Sequence, residues 1–173
     1  MKNLLLDGIE YKIDSTNRGV WKRFLYPSGA SYSEFTSHAT YLGLPIIHYT
    51  KGICPETGRR KMAKGIIAVG RIAAGVLAIG QVSFGLIACG QLALGALFGL
   101  GQASSGVLAI GQLAVGFQMA VGQFAVGSTA IGQIAFGKHV LAQIGFGQYV
   151  WSPERKDPEA VQFFQSLLER LRF

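Results

Sequence analysis

The sequence predicts an all-β repeat protein, and three observations carry that prediction. Glycine returns every five residues from Gly65 to Gly137, with two steps of six at Gly95–Gly101 and Gly116–Gly122. Every second glycine is followed by a polar residue, first Arg71 and then Gln81, Gln91, Gln102, Gln112, Gln123 and Gln133, so the unit is ten residues long. Between glycines lie triplets such as Leu92-Ala93-Leu94, Leu113-Ala114-Val115 and Ile134-Ala135-Phe136. Period-two alternation sends the two large residues of a triplet to one face and the small one to the other.

A helix fits this pattern poorly. It turns about 100° per residue, so a step of five scatters the glycines around every face. Each interior glycine also costs about 1 kcal/mol relative to alanine. In a strand reading the Gly-x pairs become corners, because glycine takes unusual backbone angles without steric penalty. The expected architecture is a β-solenoid of decapeptide units, each coil stacked in parallel on the last. The alternative is a shallow closed antiparallel meander or barrel of very short strands joined by two-residue hairpins.

Either way the corners fall into two columns. Gln81, Gln91, Gln102, Gln112, Gln123 and Gln133 form one edge, where stacked amides can bond along the axis as a ladder. Val76, Leu86, Val107 and Phe117 form an apolar edge. The small residues of the triplets form a third column. With the large residues filling the core, Ala93, Ala114, Ala125 and Ala135 are expected to make flat outer faces on which another copy packs. The reverse orientation would leave rows of Ile, Leu, Val and Phe outside, to be covered by lipid or by oligomerisation.

Three segments follow. Residues 1–64 are an N-terminal β cap, 65–151 the glycine-rich repeat and 152–173 a C-terminal helix. In the cap, strands are expected at Leu4–Leu6 and Ile9–Ile13 around Asp7-Gly8, then at Val20–Tyr26, Tyr32–Thr40 and Leu44–Thr50, each bounded by turn residues. Such a cap protects the raw strand edge of a repeat array. At the other end, Asp157-Pro158-Glu159 offers an N-cap, a proline at the first helical position and an acidic first turn. Val161, Phe164, Leu168 and Leu171, widened by Phe163 and Leu167, form the apolar stripe of a docking helix, with Arg170 and Arg172 at its end.

Charge divides along the same lines. Of the 173 residues 50% are hydrophobic and only 14% charged, against roughly a quarter charged in an ordinary domain. Residues 1–64 hold ten Lys/Arg and five Asp/Glu, whereas 65–151 hold only Arg71 and Lys138. The basic cluster Arg59, Arg60, Lys61 and Lys64 directly precedes the uncharged region and is a candidate for binding anionic lipid or another anion. Nucleic acid is not the expected partner, since no aromatic or helical reading element accompanies the cluster.

The chemistry-bearing residues are sparse. His38, His48 and His139 lie far apart, with no carboxylate at a telling spacing, and His48 reads as a strand residue facing the junction of cap and repeat. Cys54 and Cys89 belong to no CxxC pair or Cys/His cluster and read as reduced thiols. No nucleophile elbow, phosphate loop or HExxH motif is present. We therefore expect no catalytic residues, metal or cofactor. The apolar run of three leucines near the N-terminus falls short of a signal-peptide core of about 7–15 residues, so the expected location is the cytoplasm or the periphery of the inner membrane.

The order Gly43-Leu44-Pro45-Ile46-Ile47-His48, Pro55-Glu56-Thr57-Gly58-Arg59 and Ala63-Lys64-Gly65-Ile66-Ile67-Ala68-Val69-Gly70 resembles a largely uncharacterised bacterial family with glycine-rich A-I-G-G decapeptide arrays. The resemblance covers about residues 40–150 and implies bacterial origin but no function. This chain departs from it in placing Gln where the family has a second Gly.

The reading is a non-enzymatic structural or interaction protein. It acts through self-assembly into a homo-oligomer or filament, or through an anionic membrane surface. Alternatives are a binding protein for an apolar small molecule or lipid, housed at the cap–repeat junction, and a multi-span helical membrane protein.

Overall fold

A computed structural model describes residues 9–171, with side chains described to residue 170. The strand expected at Leu4–Leu6, the Asp7-Gly8 turn, Arg172 and the Leu171 side chain lie outside the described residues. The chain is mostly β with one C-terminal helix. Its elements are β1 (Lys12–Thr16), β2 (Gly19–Leu25), β3 (Ser31–Ser37), β4 (Thr40–Tyr41), β5 (Leu44–Pro45), β6 (Ile47–Lys51), β7 (Ala63–Gly70), β8 (Ile72–Trp151) and α1 (Pro158–Leu171). The main sheet runs β1-β2-β3-β6-β7-β8 and does not close into a barrel, while β4 and β5 pair separately. Two compact units are present, Met1–Gly90 and Gln91–Phe173.

The first unit begins antiparallel. β1 and β2 pair from Thr16↔Gly19 to Lys12↔Arg23 around the two-residue loop Asn17-Arg18, so the strand expected at Ile9–Ile13 begins at Lys12 and runs on to Thr16. β3 follows with Leu25↔Ser31 and Trp21↔Phe35, and β6 with Phe35↔Tyr49. On one face the Trp21 ring lies 4.9 Å from Phe35 and 6.0 Å from Tyr49, with the Arg23 guanidinium 4.8 Å above it. Such cross-strand aromatic pairs fix register.

The direction then changes. β6 and β7 pair in parallel, with His48↔Ala68, and β7 pairs in parallel with the start of β8 at an offset of ten residues: Ala63↔Ala73, Gly65↔Gly75, Ala68↔Ala78. Parallel neighbours usually need a crossover of a dozen or more residues. Here the glycine corners make the return in ten. A Cβ on Gly75 would collide with the Gly65 carbonyl oxygen, and one on Gly85 with that of Gly75.

Within the second unit the same step recurs. Gly132 abuts the Gly122 carbonyl and Gly137 that of Gly127, ten residues back, whereas Gly122 abuts Gly111 and Gly127 abuts Gly116, eleven back. The extra residue after Gly116 is therefore absorbed within one turn of the chain, where the Met119 carbonyl closes on Gly116.

The core inverts one expectation. Ala63, Ala68, Ala73, Ala78 and Ala88 are fully buried in the first unit, and in the second Ala93, Ala114, Ala125 and Ala135 are each 0% exposed. These alanines are the interior, not an assembly face. Parallel neighbours ten residues apart set alanine beside alanine, Ala63↔Ala73 and Ala68↔Ala78, in a space that admits only small side chains. The period-two pleat that turns each Ala inward turns both large residues of its triplet outward. Leu113 and Val115 are accordingly 45% and 48% exposed. Two inward rows interlock in the second unit, where Ala109, Ala114, Ala120, Ala125, Ala130, Ala135, Val140 and Val150 form one cluster. Where one row widens to Val140 and Val150, the other shrinks to Gly145, whose Cβ would come within 2.9 Å and 2.8 Å of those valines.

α1 packs on the second unit through Ala160, Phe163, Phe164 and Leu167, and Phe164 is 1% exposed. Phe163 stacks on His139 at 4.1 Å and Phe164 lies 6.4 Å from Trp151. Leu168, expected in the docked stripe, is 59% exposed. The Asp157 carbonyl accepts the first helical bond from Val161 N–H at 3.0 Å. Its carboxylate, expected to cap the helix, instead accepts from Val150 N–H at 2.8 Å and from Arg155 Nε–H at 3.1 Å, tying the helix entry to the end of β8.

Candidate functional site

The repeat presents surfaces rather than a cleft. In the second unit, the triplets Leu113–Val115, Phe124–Val126, Ile134–Phe136 and Ile144–Phe146 stack their large residues outward on one face. Phe124 and Phe136 lie 5.5 Å apart, and Phe136 and Phe146 stack at 4.8 Å with an interplanar angle of 11°. On the other face His139, Tyr149 and Trp151 receive α1. The chain thus covers one apolar face with its own helix and leaves the opposite one open.

The corner residues are mostly exposed. In the first unit Gln81 is exposed, and in the second so are Gln91, Gln102, Gln112, Gln123 and Gln133. On the apolar corners Val76 and Leu86 are 41% and 45% exposed in the first unit; in the second Phe117 is 83% exposed and Val107 half-buried. Ser128 Oγ donates to the Phe117 carbonyl at 3.0 Å, so that column is in register across the eleven-residue step.

The residues of the basic cluster lie at different places in the first unit. Arg59 is exposed, and its carbonyl accepts from Cys54 N–H at 2.8 Å to close the turn at Thr57-Gly58. Lys61 Nζ pairs with Glu34 Oε1 at 2.6 Å. Lys64 and Lys61 line an open cavity of about 450 Å3 with His48, Leu44, Pro45 and Met62. Arg60 lines a different one, with Lys51 and Arg71. A third cavity, of about 420 Å3 and mostly apolar, lies against Ile131, Leu141 and Trp151 in the second unit.

Sequence reasoning missed a buried polar cluster in the cap. Glu34 on β3 accepts from Tyr32 Oη–H at 2.7 Å and from His48 Nε2 at 3.0 Å, in addition to Lys61. His48 Nδ1 accepts from Lys64 N–H at 2.8 Å, which places the ring proton on Nε2, facing Glu34. Glu34 and His48 are 6% and 8% exposed. Burial by itself would raise the Glu34 pKa, but hydrogen bonds from His48, Lys61 and Tyr32 together hold it at about 2. Tyr32 is pushed up by burial and by its bond to that carboxylate. Glu34 and His48 are 14 residues apart, which hides the pair in sequence. The available signal was a Glu between Tyr32 and Phe35 in a strand. Each donor and acceptor is engaged, so the cluster fastens β3 and β6 to the first parallel strand.

Among the described residues, no group of three His, Cys, Asp or Glu is placed to hold a metal ion, and no helix is long and apolar enough to cross a membrane. Comparison with protein-family models, curated proteins and solved structures gives no match to this chain.

Proposed function

We propose that the chain is a β-solenoid with one decapeptide per coil, working by surface association rather than catalysis, and that its partner is a second copy of itself. The observation that carries this reading is the open row of Leu113, Val115, Phe124, Ile134, Phe136, Ile144 and Phe146 in the second unit, each between 37% and 54% exposed. Contiguous apolar surface of this kind marks an interaction site. Flat rows of stacked side chains interdigitate with a like face at the spacing of packed sheets, about 10 Å. α1 supports the reading by example, since the same chain covers its other apolar face with Phe163 and Phe164. Charge at the centre of the open row, Phe136→Lys with Phe146→Lys, is expected to yield a monomer with an unchanged β spectrum. A variant that associates as before would contradict it.

A specific observation favours a second reading, attachment to a lipid surface. The β4–β5 hairpin turns through Leu42 and Gly43 at φ 52° and 76°. A leucine in the left-handed region stores strain, yet Leu42 is 85% and Tyr41 63% exposed at this tip. An apolar finger beside Lys61 and Lys64 suits an anionic bilayer. Leu42→Asp is expected to abolish co-sedimentation with phosphatidylglycerol vesicles if this finger inserts, and to leave it unchanged if it does not.

A further inference from the structure

One position of the repeat breaks its own rule. The polar corner is Gln at 81, 91, 102, 112, 123, 133 and 143, but Arg at 71. The coil does not need that charge: what position 71 gives the next turn is its carbonyl, which accepts from Gln81 N–H and Val82 N–H at 3.0 Å each. Arg71 does, however, line an open cavity of about 680 Å3 in the first unit, together with Arg60, Lys51, Tyr49, Thr50 and Gln81.

Three cations reach this cavity from three separate elements: the end of β6, the loop before β7 and the first repeat corner. None of the described residues that line it is Asp or Glu. Glu34, cross-strand from Thr50, does not line the cavity and is committed to Lys61, Tyr32 and His48. Among the described residues no ion pair is formed by Lys51, Arg60 or Arg71. Like charges brought together without a counter-charge repel, and an anion between them removes that repulsion. Guanidinium groups bind phosphate oxygens through paired parallel hydrogen bonds, and a lysine adds a point charge.

We infer that this cavity is an oxyanion site for a phosphate-bearing ligand, with Arg71 and Arg60 gripping the phosphate and Lys51 neutralising its remaining charge. The ligand is a free phosphate compound or the headgroup of an anionic lipid, and the chemistry is the same for both. The site does not depend on self-association.

Arg71→Gln supplies the test, because it installs the residue used at every later polar corner and so leaves the coil intact. Inorganic pyrophosphate is titrated calorimetrically into the full chain and into this variant, both checked by circular dichroism. Saturable binding by the parent, weakened about tenfold or more in the variant and by added salt, is expected for a free phosphate ligand. Binding only to phosphatidylglycerol vesicles and not to phosphatidylcholine vesicles, again lost in Arg71→Gln, assigns the site to a lipid headgroup. Equal binding by parent and variant, or no binding of either probe, overturns the inference.

Discussion

The His139 ring lies 4.1 Å from the Phe163 ring, centroid to centroid, at an interplanar angle of 14°. This stack joins the end of β8 to α1, and the Tyr149 ring also stacks on the imidazole at 5.3 Å. The His139 stack makes helix docking sensitive to acid. Burial lowers the His139 pKa below 6.5, helped by Lys138 and opposed by Glu159. The folded state thus prefers the neutral ring. Stability from this contact is present above the unfolded value of 6.5 and falls as the pH drops below it, until the lower folded value is passed. Fluorescence of Trp151, beside Phe164, is expected to report helix release in mild acid, and His139→Phe to remove that transition.

The acid cluster of the cap responds over a lower range. Glu34 is held at about 2 against 4.5 for a free glutamate, so its contribution is full above 4.5 and is lost as pH falls toward 2. Glu34→Ala leaves His48 and Lys61 without their acceptor and is expected to cost about 3 kcal/mol, as breaking one side of a buried ion pair does. Urea melts at neutral pH measure the loss. The gap between parent and variant should narrow in acid.

The inward alanine rows leave no room. Ala125→Leu is expected to destabilise the chain by about 1–3 kcal/mol through overpacking, whereas Ile87→Thr, on the outward row of the first unit and outside the proposed interface, should change stability by less than about 0.5 kcal/mol. Thermal melts of the two variants separate an alanine-lined interior from an exterior one.

Ser104 occupies an inward row position where its neighbours are alanines, and its buried Oγ has no hydrogen-bond partner among the described residues. An unsatisfied buried hydroxyl costs about 1–3 kcal/mol. Ser104→Ala should raise the melting temperature, measured by circular dichroism.

The ten-residue period, the corner columns and the helix at 158–171 were legible because each leaves a mark in one dimension: glycine spacing, a recurring Gln, a Pro-Glu start. The orientation of the triplets was not. Leu113-Ala114-Val115 alternates identically whether Ala114 faces in or out, and only the close packing around Ala114 in the folded chain decides it. Nor was the partnership of Glu34 with His48, which exists because β3 and β6 lie side by side. Arg71 is legible as a departure from Gln, but its sharing of one cavity with Arg60 and Lys51 is not, because the three lie on separate elements.

Sedimentation velocity on detergent-free protein over a range of concentrations tests most directly whether the open apolar rows are an interface. The expected result is a defined species heavier than the 18.5 kDa chain that reverts to monomer on Phe136→Lys with Phe146→Lys. A parent chain that stays monomeric at every concentration would contradict self-association as its mode of action.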